Sequence, residues 1–264
     1  MLEIAMNKLQ QAFGIVIMCS VGAALPTPAT STQTGSVVKI AVEGAFPPFN
    51  YLDSNKQLQG FDVDLAGALC EAAKLKCEFV IQEWTEMIPN LLAKRYDAIV
   101  SSMSMSLERK QKVAFTRKYY DSPSVFIAKK DVGLDGTKLK NVRLGVTAGT
   151  SQEAYTKKFF SDASIRIFAA SPELYKGLAD GEVDLILEDK LAVYDWLANT
   201  KAGTCCEFKG ADIKDAEFFG EGAGIAVRPD DKELLTKLNA ALDKIQANGA
   251  YDAMNAKYFP FSIQ

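Results

Sequence analysis

The sequence predicts an α/β protein built from two successive α/β units. β-branched apolar runs alternate with longer segments of helical period, and the alternation starts again at Pro123. In the first unit "VVKIAV" (37–42) is a strand. "FDVDLAGALCEAAK" (61–74) is a helix with Leu65, Leu69 and Ala72/Ala73 on one side. "CEFVIQ" is a strand, "WTEMIPNLLAKR" (84–95) a helix interrupted by a proline, and "YDAIVSS" a strand again. This βαβαβ order calls for a largely parallel sheet covered on both faces. The second unit reads "PSVFIAKK" (123–130), "NVRLGVT" (141–147), a Gly-Thr-Ser turn opening the helix of "AGTSQEAYTKKFF", "IRIFA" (165–169), the helix "SPELYKGLADG" and "VDLILED" (183–189). "GIAVRP" (224–229) is a last strand. Leu234, Leu238, Leu242 and Ile245 then mark an amphipathic helix capped at Gly249, and "AYDAMNAKYF" adds a short final helix.

Composition narrows the function. Of 264 residues, 48% are hydrophobic and 24% charged, the balance of a soluble globular chain. Net charge is −3 and the pI about 5.3, which disfavours nucleic acid and anionic membrane surfaces as partners. The chain has no histidine, which excludes His-based triads, His general bases and His metal ligands. At the N-terminus, Lys8 precedes the apolar run from Ala12 to Leu25, and the loop-like "PTPATSTQTGS" follows. We read residues 1–29 as a secretory signal peptide, cleaved after Ala24 or Ala29, and 30–36 as a linker. Met6 is an alternative start, and an uncleaved anchor is the alternative to a signal.

Cys70 and Cys77 would lie about 10.5 Å apart on a continuous helix, too far to bridge. They meet only if the helix ends near Lys74 and the chain turns into the next strand. Cys205 and Cys206 are adjacent, and either a strained ring or two free thiols fits them. With no further Cys or His nearby, no metal site is expected.

Ligands of open α/β sheets bind beyond the carboxyl ends of the strands. Four such ends carry chemistry: Glu43 to Phe49, the serines 101, 102, 104 and 106 with Arg109, Thr147 to Gln152, and Glu188-Asp189. They contain no nucleophile–base pair. A cation in a first helical turn opposes the macrodipole unless an anion lies between. Arg109 offers a fork to a carboxylate, the serines leave room for it, and a helix start at Gly149-Thr150-Ser151 adds N–H donors. Asp189 suits an ammonium. One carboxylate with one ammonium describes an α-amino acid. The competing reading makes Arg109 a solvated helix charge beside Glu108, and Asp189 a helix cap.

Four segments also resemble a known family, the type 3 periplasmic solute-binding proteins of ABC importers. These are "EGAFPPFNYLDSNKQLQGFDVDLAGALC", "YDAIVSSMSMSLERKQKVAF", "LGVTAGTSQEAY" and "YDAMNAKYF", and the likeness runs from about Val37 to Phe261. It is similar first to lysine/arginine/ornithine- and histidine-binding proteins and next to opine-binding ones. The resemblance implies a two-lobed, type II periplasmic-binding-protein-like fold, with two α/β lobes joined by two crossing strands. The first lobe would comprise 37–121 and 220–264, and the second 122–219. It implies that Arg109 holds the ligand α-carboxylate with Ser104 and the turn at Thr150. Asp189 and the Ser102 carbonyl would take the α-ammonium, and Phe46 and Trp84 would sandwich the side chain. Glu43, Ser101, Ser102 and Gln152 would approach its distal end, and Thr147 would line the cleft. A Cys70–Cys77 disulfide is implied as well. Glu43 and Phe46 stand where the cationic binders have Asp and Tyr. Glu43-Gly44 and Trp84 lean toward the opine binders, whereas Ser101-Ser102 lean toward the basic amino-acid binders.

The expected function is thus capture of a polar, cationic α-amino acid or an arginine-derived opine in the periplasm, by a monomer that closes around it and docks on a membrane permease. No cofactor and no catalytic residue is expected. Two alternatives share the fold: a dehydratase- or lyase-like enzyme, for which Glu43 is the only cleft carboxylate spare once Asp189 is assigned, and a soluble ligand sensor.

Overall fold

A computed structural model describes residues 37–133, 139 and 141–264, so the signal-peptide and linker expectations for 1–36 lie outside the described residues. β1 (Val38–Val42) leads through a small antiparallel sheet of β2 (Ala45–Phe46), β3 (Asn50–Leu52) and β4 (Leu58–Gln59) into α1 (Phe61–Ala73). Next come β5 (Cys77–Ile81), a 3-10 turn at Trp84–Glu86 running into α2 (Met87–Leu92), β6 (Ala98–Ile99), α3 (Leu107–Lys110) and β7 (Ala114–Tyr120). β1 pairs in parallel with β5 and β6. The second half holds β8 (Ser124–Lys129), β9 (Arg143–Thr147), α4 (Ser151–Phe159), β10 (Ser164–Phe168), α5 (Ser171–Asp180), β11 (Leu185–Asp189), α6 (Lys190–Asn199) and β12 (Cys206–Ile213). There β9 lies parallel to β10 and β11, while β8 runs antiparallel between β11 and β12. The chain returns through β13 (Ala223–Val227), antiparallel between β6 and β7, and ends in α7 (Lys232–Ala247) and α8 (Ala250–Tyr258). Two five-stranded sheets result, β5-β1-β6-β13-β7 and β10-β9-β11-β8-β12. The chain passes between them twice, through 121–123 and 214–222.

Each sheet carries its own core. Leu65 and Leu69 of α1 pack with Leu234, Leu238, Leu242 and Ile245 of α7 on one face of the first sheet. Met87, Leu91, Tyr96 and Met103 fill the other face. This two-sided burial is why the parallel strands read as continuous apolar runs. Val125, Ile127, Leu174, Leu178 and Trp196 form the equivalent core of the second sheet.

Several elements differ from expectation for identifiable reasons. The helix foreseen over 84–95 is a 3-10 turn plus a short α-helix, with Pro89 in its first turn and a left-handed Lys94 just past its end. The strand foreseen in "YDAIVSS" pairs only at Ala98–Ile99, because the serine segment leaves the ladder and bends, with Ser102 at φ 52°. Gly249 is the N-cap of α8, at φ 79°, and the C-cap of α7 is Asn248. Strand β7, "AFTRKYY", went unread because exposed charges interrupt its apolar pattern.

Lys74 adopts a left-handed conformation and donates its N–H to the Cys70 and Glu71 carbonyls, which stops α1 and reverses the chain. Cys70 and Cys77 then lie 6.2 Å apart at Cα and are joined in a disulfide. Cys205 and Cys206 are joined too, so the ring is the form present of the two left open. By loop-closure entropy, the Cys70–Cys77 link stabilises the fold by about 2 kcal/mol. The double variant Cys70→Ala/Cys77→Ala is expected to lose about that much in urea unfolding, with unchanged m. An unchanged midpoint would show that the α1–β5 turn forms without the link.

Candidate functional site

The carboxyl ends of β1, β6, β9 and β11 converge on one cleft between the two sheets, lined in part by Glu43, Trp84, Arg109, Thr147, Gln152 and Asp189. Phe46, Ser101, Ser102, Ser104 and Thr150 line it too, so every ligand-contact residue foreseen in the sequence faces the same space.

Arg109 sits in α3, a four-residue helix capped by Ser106, whose Oγ accepts the Arg109 backbone N–H. The residue is only 8% exposed. Nη1 donates to Ser104 Oγ at 2.7 Å and to the Ser104 carbonyl at 3.1 Å; Nη2 donates to the Gly149 carbonyl at 3.2 Å. The Trp84 ring lies 5.0 Å from the centre of the guanidinium. Among the described residues no protein carboxylate pairs with it, and Glu108 turns outward to Lys112. Burial pulls the Arg109 pKa down to about 10, so it keeps its charge at neutral pH. Arg109 is thus a buried cation with spare donors, and the solvated-charge reading fails.

Two further contacts tie the second half of the chain to this point. Trp84 Nε1 donates to the Gly149 carbonyl at 3.0 Å, and Ser104 Oγ lies 3.1 Å from Ser151 Oγ. Gly149 permits this approach: its φ is +67°, and a Cβ there would stand 3.2 Å from Thr85 Cγ2. Thr150 is the N-cap of α4, its Oγ1 accepting from Glu153 N and donating to the Thr147 carbonyl. Its hydroxyl is therefore committed to the turn. Thr147 Oγ1, buried in the cleft wall, has no hydrogen-bond partner, and Gln152 Nε2 donates to Ser124 Oγ.

Asp189 does cap α6: Oδ1 accepts from Leu191 N, Ala192 N and Ser122 Oγ. Among the described residues Oδ2 has no hydrogen-bond partner, so both readings of Asp189 are compatible. Burial raises its pKa to about 6. Glu43 N–H donates to Ser101 Oγ at 3.1 Å, while its carboxylate has no donor among the described residues. Burial, with repulsion from Asp62, raises Glu43 to about 7. Ser102 gives its hydroxyl to Asp62 and its N–H to Tyr119 Oη. Only its carbonyl remains for a ligand. Phe46 stacks on Phe49 in the core and shows its other side to the cleft.

Ser151, Asp62 and Glu188 are among the residues that the sequence reading gave no ligand-contact role. Ser151 follows Thr150 and lines the cleft. Asp62, fully buried, accepts from Asn50, Ser102 and Tyr119 and so fixes the serine bend; burial raises it to about 6. Glu188 lines the cleft at 3% exposure. Its Oε2 accepts from Ser171 Oγ at 3.0 Å and its Oε1 from Asp189 N at 2.8 Å. Burial above all raises its pKa, to about 8, with Asp189 and Glu43 adding repulsion. Glu43 is therefore not the only spare cleft carboxylate: Glu188 stands beside it. The signal was its adjacency to Asp189, masked because strand alternation sends neighbours to opposite faces.

Residues 38–261 match the family described as bacterial extracellular solute-binding proteins, family 3. The chain belongs to that family. This solute-binding protein is 40% identical over 230 residues to the L-arginine-binding protein of Pseudomonas aeruginosa, covering 86% of this chain and 89% of that one. It is 35% identical to the lysine/arginine/ornithine-binding periplasmic protein of Escherichia coli, over 86% and 88% of the two chains. Its fold superposes with TM-score 0.78 on a Salmonella typhimurium periplasmic binding protein described for high arginine specificity, at 28% identity over 84% of this chain and 99% of that one.

The four raised carboxyls make a stability prediction. Asp62, Asp189, Glu43 and Glu188 have folded values of about 6, 6, 7 and 8, all above the ordinary carboxyl range. The empty native state therefore holds more protons than the unfolded chain between about pH 4 and 8, and stability falls as pH rises through that window. The melting temperature of the ligand-free protein is expected to drop from about pH 5 to 8, and Glu43→Gln to flatten the slope. A melting temperature that rises over this range would contradict the buried-carboxyl picture.

Proposed function

We propose that this solute-binding protein is the periplasmic capture component of an ABC importer for a cationic α-amino acid. The observation that carries the reading is the arrangement of Arg109: a buried guanidinium with free donors at one end of a cleft whose other charged groups are all carboxylates. In this reading Arg109 and the α4 N-terminus take the α-carboxylate, with Thr147 Oγ1 near by. The free Oδ2 of Asp189 and the Ser102 carbonyl take the α-ammonium. Trp84 and Phe46 flank the side chain, and Glu43 meets its distal cation. The binding of arginine, lysine or ornithine named for the relatives supports this assignment, and a signal peptide over 1–29 would deliver the protein to the periplasm.

Closure follows from the same geometry. Residues 37–121 with 220–264 form one lobe and 122–219 the other, hinged where the chain crosses at 121–123 and 214–222. A ligand that touches Arg109 and Glu43 on one lobe and Asp189 and the α4 start on the other contacts both only when they are shut. It therefore favours the closed state by its differential affinity. The closed form then docks on a membrane permease as a monomer. No step of this cycle requires a catalytic group.

Calorimetric titration of the mature protein with arginine, lysine, ornithine, histidine, glutamine and octopine tests the reading. A cationic ligand should bind, and Arg109→Ala should weaken it about 100-fold or more, because the carboxylate then enters a buried site without its partner. If no amino acid or opine binds, or if Arg109→Ala binds as tightly as the parent, the carboxylate assignment is wrong.

A further inference from the structure

The cleft holds one acid more than an α-amino acid with a single distal cation requires. Its charged lining residues are Arg109, Asp189, Glu43 and Glu188. Arg109 and Asp189 are taken up by the ligand's backbone groups. That leaves two carboxylates, one from each lobe: Glu43 beyond β1 and Glu188 at the end of β11. Glu188 is no stray core charge. Ser171, at the start of α5, and the Asp189 N–H each hold one of its oxygens, which fixes the carboxylate plane. Every carboxylate oxygen accepts about two hydrogen bonds, so each retains capacity. The charged and titratable groups facing Glu188 are Asp189 on its own strand, Glu43 across the cleft and Tyr175 from α5. None is a cation, and Glu188 is absent from the ion pairs of the described residues. Val125 stands opposite it on β8, and Ser124 and Thr147, which line the same cleft, are neutral.

Building on the amino-acid reading above, we propose that Glu188 is a second specificity-determining carboxylate, which with Glu43 closes the far end of the cleft around a planar guanidinium. A guanidinium presents five N–H donors in one plane, so two carboxylates can each take a different edge. An amide offers two donors and no charge, and leaves at least one acid unserved. The pair therefore ranks a guanidinium ligand above an amide ligand of similar length. It also couples binding to protons. Glu43 and Glu188 titrate at about 7 and 8 in the empty cleft. A bound cation favours their ionised forms, so protons leave as a cationic ligand enters.

Calorimetry with arginine and glutamine, in buffers of differing ionisation enthalpy at about pH 6.5, reads both effects. For the parent protein, arginine should release more than one proton beyond the number released by glutamine, since one carboxyl alone cannot supply that excess. Glu188→Gln should lower the arginine-to-glutamine affinity ratio about tenfold or more and bring the proton excess to one or below. An unchanged ratio and excess in a cooperatively folded Glu188→Gln protein overturns the proposal. If that variant does not fold, Glu188→Asp decides, and an arginine-to-glutamine affinity ratio unchanged in it overturns the proposal. Arginine binding that depends on Arg109 but ignores Glu188 removes this inference and leaves the amino-acid reading in place. Failure of the parent to bind either ligand removes both.

Discussion

A guanidinium buried where two lobes meet is the constraint around which the rest of the cleft is arranged. Removing a cation from water is costly unless other groups replace its hydration. Around Arg109 the replacement is partial: one serine, two backbone carbonyls and the face of Trp84. The nearest acid in the chain, Glu108, faces solvent and pairs with Lys112. The cleft carboxylates are held apart from Arg109 by their own elements, Glu43 after β1 and Asp189 at the start of α6. Opposite charges that could neutralise one another are thus kept separated by rigid structure. In the proposed binding mode a zwitterion supplies the missing partners at both ends, and within each lobe the charges are already held in place, which is the energetic sense of preorganisation.

The same residues join ligand chemistry to shape change. Gly149 accepts from both Trp84 and Arg109, so the groups poised for the ligand also hold the lobes together. The direct hydrogen bonds at this end of the cleft are two to one carbonyl and one serine–serine contact, each worth about 1 kcal/mol net. Elsewhere Leu191 and Ala192 of the second lobe pack into the core of the first, and Tyr194 meets Phe261 edge-on. A bridging ligand adds to these contacts and shifts the balance only by its differential affinity for the closed state.

Much of this was legible in the sequence, for local reasons. Hydroxyls replacing aliphatic side chains at the end of a core strand, with an arginine in a first helical turn, contradict ordinary propensity, and such conflicts gather at functional sites. Asp189 as both cap and cleft acid follows from a strand-to-helix junction that the pattern already marked. What stayed hidden depends on long-range placement. Asp62 reads as a first-turn acid complementing a helix dipole, an unremarkable role. Only the fold brings Tyr119 and Ser102 onto it and turns it into the anchor of the serine bend. Glu188 was hidden by periodicity. Alternation assigns it the face opposite Asp189, but the chain leaves the strand at Asp189 to begin α6, and both side chains end in the cleft. Short β6 and charged β7 are drawn into a sheet by β13, which arrives from the far end of the chain and which no local window contains.

Asp62 and Glu43 show how far the cleft's electrostatics reach behind its surface. Asp62 lies behind Ser102, fully buried and triply hydrogen-bonded, and its charge still raises the Glu43 carboxyl. Glu43 in turn raises Glu188 across the cleft. The acids therefore form a linked series, in which each disfavours the ionisation of the next. A neutral ligand entering such a cleft inherits that repulsion or leaves the carboxyls protonated. A cation placed between Glu43 and Glu188 relieves it for both at once, and the relief is available to no ligand without charge. In a cleft of this kind, charge preference rests on the mutual repulsion of the acids as well as on hydrogen-bond geometry, which alone would understate it.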